Sequence, residues 1–229
     1  VGSIARIKNV AKIITTYKKK KLGVIVVSSA MSGTTNQLIK QTKELSKNFD
    51  AAEYDVLLST GEQAACALIA GRLIQLGFKA RSWMSWQVPI NTEGSYGSSR
   101  INKINKNKIS SFIKSGGIPI ITGFQGVNSE ERITTLGRGG TDASAIMLAK
   151  FFNTDACDIY TDVDGVYTTD PRNHIKAKKI DKISYDEMLE MASLGAKVMQ
   201  PTSVQDAKLN NISFSVKSSF VKKKGTLIT

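Results

Sequence analysis

The chain has 229 residues, 41% of them hydrophobic, which is enough for one substantial core and too apolar for a disordered segment. One histidine, His174, and two cysteines, Cys66 and Cys157, leave too few ligands for a Cys/His zinc site. The same scarcity, with no G-x-S-x-G anywhere, argues against Ser–His–Asp and Cys–His hydrolases. The formal charge of +13 raises nucleic-acid binding as an alternative, but the lysines are scattered through 18–21, 103–108, 176–179 and 222–224 without a recognition motif beside them.

The N-terminal VGSIARIKNV has neither the apolar stretch nor the cleavage site of a signal peptide. No apolar run reaches the roughly 18 residues of a membrane span, so a soluble cytoplasmic protein is expected. Ile4, Ile7, Val10, Ala11 and Ile14 share one helical face over residues 3–18, with Ser3 as N-cap. GVIVV at 23–27 predicts a strand buried on both faces, and SSAMSGTT leads from it into a helix through Leu38, Ile39 and Leu45. A long helix is expected over 60–77, ending at Gly77. A strand follows in KARSWMSW, then loop or hairpin over 87–105, a helix around 106–115 and a buried strand in GGIPIITGF. TTLGRGGTDASAIMLAK, 134–150, opens a helix capped at Thr141 or Asp142, and DACDIYTDVDGVYTTDP gives a strand to Thr161 and a turn at Asp164-Gly165. Ser184 and Glu187 form a capping box for a helix that breaks at Gly195 and resumes towards Leu209, before a last strand at 212–216. Buried strands alternating with amphipathic helices predict one α/β domain with a mainly parallel sheet.

In such a sheet, ligands sit beyond the carboxyl ends of the strands. SSAMSGTT, TGFQG and TDVDGVYTTDPR all fall there, with glycines and hydroxyls that let backbone amides approach an anion. GRGGTD departs from a dinucleotide fingerprint because Asp142 takes the third glycine's place, and no Gly-Lys pair exists for a Walker A loop. DVDG resembles a calcium loop only until it is aligned on its glycine, which puts Tyr160 and Pro171 where carboxylates belong. The charged residues left among small ones are Arg138, Glu62 and Asp142. An arginine fork suits a carboxylate. Glu62 at a helix start is equally explained by the helix dipole, and Asp142 by capping alone.

The blocks VVSSAMSGTTNQLI, LLSTGEQ, RSWMSWQVPI, GFQGV, TTLGRGGTDASA, DIYTDVDGVYTTDPR and EMLEMASLGAKVMQP, in that order, resemble the aspartate kinases of the amino acid kinase family. The resemblance implies a three-layer α/β/α sandwich around a mainly parallel central sheet. It implies transfer of the ATP γ-phosphoryl group, with Mg2+, to the β-carboxylate of L-aspartate, the first step towards lysine, threonine, methionine and diaminopimelate. Arg138 would grip a substrate carboxylate, with Gly139, Gly140 and Thr141 as further substrate contacts; Glu62 would take the ammonium, and Phe124 would line the pocket. Ser29 and Thr35 match hydroxyls near substrate and phosphate, while Asp142 would orient catalytic lysines. Thr161, Asp162, Tyr167 and Arg172 match the nucleotide-binding stretch, and Lys197 a phosphate contact. The family implies a homodimer, with no nucleic acid or membrane partner. The family pattern opens on a K-x-G-G-x-S strand and loop; this chain begins where that motif would have finished, and Lys8 and Lys12 do not fit it. It stops at GTLIT, where family members continue into ACT domains. The expectation is a catalytic domain over 1–229 without that first strand or the ACT domains. Kinases of glutamate or acetylglutamate, and a non-catalytic fragment, are the alternatives.

Overall fold

A computed structural model describes residues 2–171, 173–196 and 198–229. They fall into two compact units, one ending at Ser144 and the other running Ala145–Thr229.

The first unit opens on helix α1 (Ile4–Lys19), whose Ser3 cap accepts a hydrogen bond from the Arg6 N–H at 3.3 Å. Ile7, Ala11 and Ile14 are buried as their spacing predicts, whereas Ile4 is exposed. Strand β1 (Val26–Ser28) is shorter than the expected 23–27 run and starts later, and Val26 and Val27 are only half-buried. It stands at the end of a parallel sheet of order β1-β5-β2, with β2 at Ala80–Trp83 and β5 at Ile118–Thr122. Central β5 is buried at every residue, as a strand paired on both sides must be. Helix α2 (Thr34–Leu45) follows β1.

Helix α3 (Ala51–Gln75) begins nine residues before the expected Thr60. Asp50 caps it, accepting from the Ala52 and Glu53 N–H groups, and Gly77 at φ +83° follows its end. Thr60-Gly61 reads as a helix start because glycine is a poor helix former. Gly61 stands there for a packing reason: a Cβ would lie 2.8 Å from that of Ala30. Ile69 and Leu73 of α3 pack with Ile7 and Ile14 of α1 against Ile118 and Ile120. Each such burial contributes roughly 1.5–3 kcal/mol.

The 87–105 region is a hairpin of β3 (Ile90–Glu93) and β4 (Arg100–Ile104), with a register shift between Asn91 and Thr92. After α4 (Asn107–Lys114) and β5 comes a second hairpin, β6 (Gln125–Val127) and β7 (Ile133–Thr135), which completes a mixed sheet of order β4-β3-β6-β7. Strands of three residues are too short to leave a periodicity in sequence.

Helix α5 (Gly140–Phe152) begins in the first unit and continues into the second. The second unit holds a mixed sheet of order β8-β10-β11-β9, with β8 at Asp158–Thr161, β9 at Lys182–Ile183, β10 at Phe214–Ser218 and β11 at Thr226–Ile228. β10 runs parallel to β8 and antiparallel to β11. The predicted capping box starts α6 (Tyr185–Ser193): Ser184 Oγ accepts from the Glu187 N–H, and Glu187 Oε2 accepts from the Ser184 N–H. Pro201 opens α7 (Pro201–Leu209), where its missing N–H costs nothing. Ile146, Ile159, Met188, Val204, Phe214 and Ile228 form this unit's core. Among the described residues, no helix is long and apolar enough to cross a membrane.

Two glycines give opposite expectations. A Cβ on Gly225 would overlap the Val216 carbonyl oxygen, so Gly225→Ala must push β10 from the chain entering β11 and lower the melting temperature. Gly71, exposed inside α3 with nothing within 4 Å of an added Cβ, should gain about 0.5–1 kcal/mol as alanine. Thermal unfolding of both variants checks the contrast.

Candidate functional site

Helix α3 carries a buried polar face. Asp55, Ser59, Glu62 and Cys66 recur at helical spacing, and each is almost fully enclosed. Ser59 accepts from Gln63 Nε2 at 3.0 Å, and its carbonyl accepts from Gln125 Nε2 of β6, also at 3.0 Å. That bond fixes which end of the Gln125 amide is oxygen, and the oxygen is buried with no partner among the described residues.

Glu62, 3% exposed, lies mid-helix rather than at a helix start, which removes the dipole explanation. Its Oε1 accepts from the Ala30 N–H in the β1–α2 loop at 3.0 Å, while Oε2 is buried with no partner among the described residues. Burial pushes its carboxyl up to about 7, against the pull of the Ala30 N–H. One turn on, Cys66 is raised too, first by burial and then by the neighbouring Glu62 charge. Ser29, half-buried, precedes Ala30, and its carbonyl accepts from Ser28 Oγ at 3.0 Å. Thr35, also half-buried, sits in the first turn of α2 behind Gly33 at φ +81°.

Two further turns interlock through glycines. A Cβ at Gly123 would lie 2.7 Å from Thr141 Cγ2, and one at Gly140 would lie 2.8 Å from the Phe124 ring. Phe124 holds φ +68°, an uncommon conformation for a non-glycine residue. Its N–H donates to Ser144 Oγ at 3.0 Å, and its carbonyl accepts from the Leu136 N–H at 2.9 Å. Between Gly137 at φ +75° and Gly139 at φ +73°, Arg138 is exposed and makes no hydrogen bond or ion pair among the described residues. Gly140 begins α5, so Thr141 and Asp142 lie within the first turn of that helix rather than capping it. Asp142 is half-buried, and burial pushes its carboxyl up to about 6.

The first unit therefore brings Ser29, Thr35, Glu62, Phe124, Arg138, Gly139, Gly140, Thr141 and Asp142 onto connected loops and helix turns. Thr161, Asp162 and Tyr167 belong to the second unit. There the Thr161 carbonyl accepts from the N–H and Oγ of Ser219, and Thr161 Oγ1 donates to Asp162 at 3.1 Å. Tyr167 donates to Asp164 at 2.7 Å, and Lys223 lies 3.5 Å from the same carboxylate. The Tyr167 hydroxyl, helped by Lys179 and Lys223, holds Asp164 below the ordinary carboxylate value, and Tyr167 is raised in turn. Arg172 and Lys197 lie outside the described residues.

Sequence reasoning missed Asp55, Gln125 and Asp164. Asp55 and Glu62 stand seven apart, a spacing that signals one helical face only once the helix is known to reach back to Ala51. Asp164 was visible in the DVDG turn but tied to a calcium loop that fails.

A model of the amino acid kinase family matches residues 1–218. The chain belongs to that family, whose α/β fold it shares. An aspartokinase of Geobacillus stearothermophilus is 46% identical over 228 residues, covering all of this chain and 56% of the relative. An aspartate kinase of Stutzerimonas stutzeri gives the same identity and coverage. The chain thus spans little more than half the length of these curated relatives. Among solved structures, aspartate kinase from Synechocystis superposes with a TM-score of 0.87 at 40% identity, over 100% of this chain and 38% of that one. E. coli aspartokinase III in complex with aspartate and ADP gives 0.83 at 26% identity, over 97% of this chain and 60% of that one.

The raised Glu62 carboxyl has a measurable signature. Its ordinary value is 4.5 and its folded value about 7, so between them the folded state holds the extra proton. The stability this group contributes is present at acid pH and lost as pH rises towards 7, by on the order of 3 kcal/mol. Glu62→Gln cannot titrate. From about pH 5 to pH 8 its unfolding free energy should therefore gain on the parent's by that amount, whatever the fixed offset between the two. Urea unfolding at both pH values checks this, and a pH-independent difference would show that Glu62 titrates normally.

Proposed function

We propose that residues 1–229 form the catalytic domain of an aspartate kinase, transferring the γ-phosphoryl group of ATP to the β-carboxylate of L-aspartate to give 4-phospho-L-aspartate and ADP. One observation carries the reading. Among the described residues, Glu62 presents a buried carboxylate oxygen with no partner, in the same unit as an exposed, unpaired Arg138 between two glycines. An ammonium at the first and a carboxylate at the second is the recognition pattern of a free amino acid. Likeness to aspartokinases over the full chain supports aspartate as that amino acid.

An oxygen of the substrate β-carboxylate attacks the γ-phosphorus, and the bond to the β,γ-bridging oxygen breaks as ADP leaves. A carboxylate nucleophile carries no proton at neutral pH, so no general base is required. Catalysis then rests on position and charge. Arg138 holds a carboxylate in its fork, while Glu62 fixes the ammonium. Asp142 orients cationic groups at the start of α5. Thr161, Asp162, Tyr167, Arg172 and Lys197 are the residues that the family resemblance assigns to nucleotide binding.

Among the described residues, no three His, Cys, Asp or Glu side chains gather to cage a metal. Magnesium, which the family resemblance implies, would when bound with ATP supply neutralisation of the charge on the transferring phosphoryl group.

Hydroxylamine trapping of the acyl phosphate in the full-length protein tests the reading. L-Aspartate should give hydroxamate, whereas N-acetyl-L-aspartate, which has no ammonium for Glu62, should lose about a hundredfold or more in kcat/KM. For the parent, kcat/KM for aspartate should fall about tenfold per pH unit below about 7, because protonated Glu62 no longer attracts the ammonium. Glu62→Gln should flatten that limb. Equal use of the acetylated acceptor, or of glutamate, would overturn the assignment.

A further inference from the structure

Asp55 is 0% exposed, yet it holds its carboxylate in place without a cation. Among the described residues no lysine or arginine pairs with it. Neutral donors from two turns satisfy it instead. Oδ2 accepts from the Gly97 N–H at 2.9 Å and the Thr135 N–H at 2.7 Å, and Oδ1 accepts from the Thr135 hydroxyl at 2.7 Å. The Ser99 N–H donates to the Thr135 carbonyl at 3.0 Å, so both turns are bound to each other as well as to the helix. Hydrogen bonds to an ionised acceptor are roughly twice as strong as neutral ones, and their geometry is narrow.

What these bonds join matters more than their number. Asp55 and Glu62 share one face of α3 two turns apart, about 10 Å along the axis. Thr135 ends β7 and stands three residues before Arg138. The intervening backbone is closely confined: the Leu136 N–H is bonded to Phe124, and a Cβ on Gly137 would lie 2.9 Å from the Gly97 carbonyl oxygen. Gly97 thus meets both Asp55 and Gly137. Asp55 ties the element bearing Glu62 to the turn bearing Arg138.

Resting on the amino-acid reading of this site, we propose that Asp55 is a positioning residue. It sets the span between Glu62 and Arg138, and with it the discrimination between a zwitterionic amino acid and a ligand that has the carboxylates alone. It touches no substrate itself. A buried charge fits this role better than a neutral group, because one asparagine oxygen cannot replace two carboxylate oxygens serving three donors.

Succinate is aspartate without its ammonium, so the ratio of the succinate to the aspartate Kd measures how well the Glu62–Arg138 span is met. Calorimetric titration of the full-length protein should give a ratio of about tenfold or more. In Asp55→Asn the ratio should fall to about threefold or less, through loss of aspartate affinity, with ATP affinity unchanged. Thr135→Val removes only the hydroxyl partner; it should lower the ratio in the same direction, and it serves as the test if Asp55→Asn does not fold. An undiminished ratio in a folded variant, whatever happens to the separate affinities, would make Asp55 purely structural and overturn the proposal. A folded parent that does not distinguish aspartate from succinate would overturn the amino-acid reading itself, and this assignment with it.

Discussion

The first unit depends on one helix presenting polar atoms to its own core. Burying carboxylates on α3 is costly, and Asp55 and Glu62 meet that cost in opposite ways. Asp55 is fully served by N–H and hydroxyl donors, so its burial becomes a rigid tie between α3 and the turns at Gly97 and Thr135. Glu62 is half served: Ala30 donates to one oxygen, and the second has no partner among the described residues. A satisfied buried carboxylate builds structure. An unsatisfied one stores a free-energy penalty that a cation can relieve, which is why the incomplete member of the pair is the candidate binding group.

The same asymmetry orders the glycines around the site. Gly61, Gly123 and Gly140 each stand where a Cβ would strike a neighbouring side chain, so α3 closes tightly on the β1–α2 loop, and the Gly123-Phe124 turn closes tightly on the start of α5. Close contact of this kind leaves Phe124 at a positive φ, held there by Ser144 and Leu136. Strain maintained by surrounding bonds is more expected at a ligand site than in an ordinary turn. Gly137 and Gly139 hold a left-handed φ on either side of Arg138, and Gly137 also approaches the Gly97 carbonyl closely.

Much of this was legible in the sequence because long-period signals are robust. The buried face of α1, the capping box at Ser184–Glu187, the wholly buried β5 and the strand ending at Thr161 all follow from local pattern and chemistry. The start of α3 was not legible, because Thr60-Gly61 mimics a boundary while its glycine serves contact with Ala30. That one misplacement moved Glu62 to a helix end and offered it a false explanation in the dipole. It also hid Asp55, whose meaning depends on partners 42 and 80 residues away. Glu62 and Arg138 were visible as residue types in suggestive surroundings. That one carboxylate oxygen has no partner among the described residues is a property of packing, and local sequence pattern does not supply it.

Glu62 and Asp142 are both raised by burial, and for an acceptor that is itself a carboxylate this has a specific consequence. With no proton to remove from the nucleophile, neither residue need serve as a base. Their raised values instead measure how strongly each site favours incoming positive charge. In the proposed reaction, an ammonium arriving at Glu62 displaces the proton that burial would retain, so aspartate binding below about pH 7 is coupled to proton release. Burial raises Asp142 as well, to about 6. In the proposed reaction the two carboxylates have distinct tasks: Glu62 selects the substrate by its charge, and Asp142 provides a fixed negative point against which cationic groups are oriented.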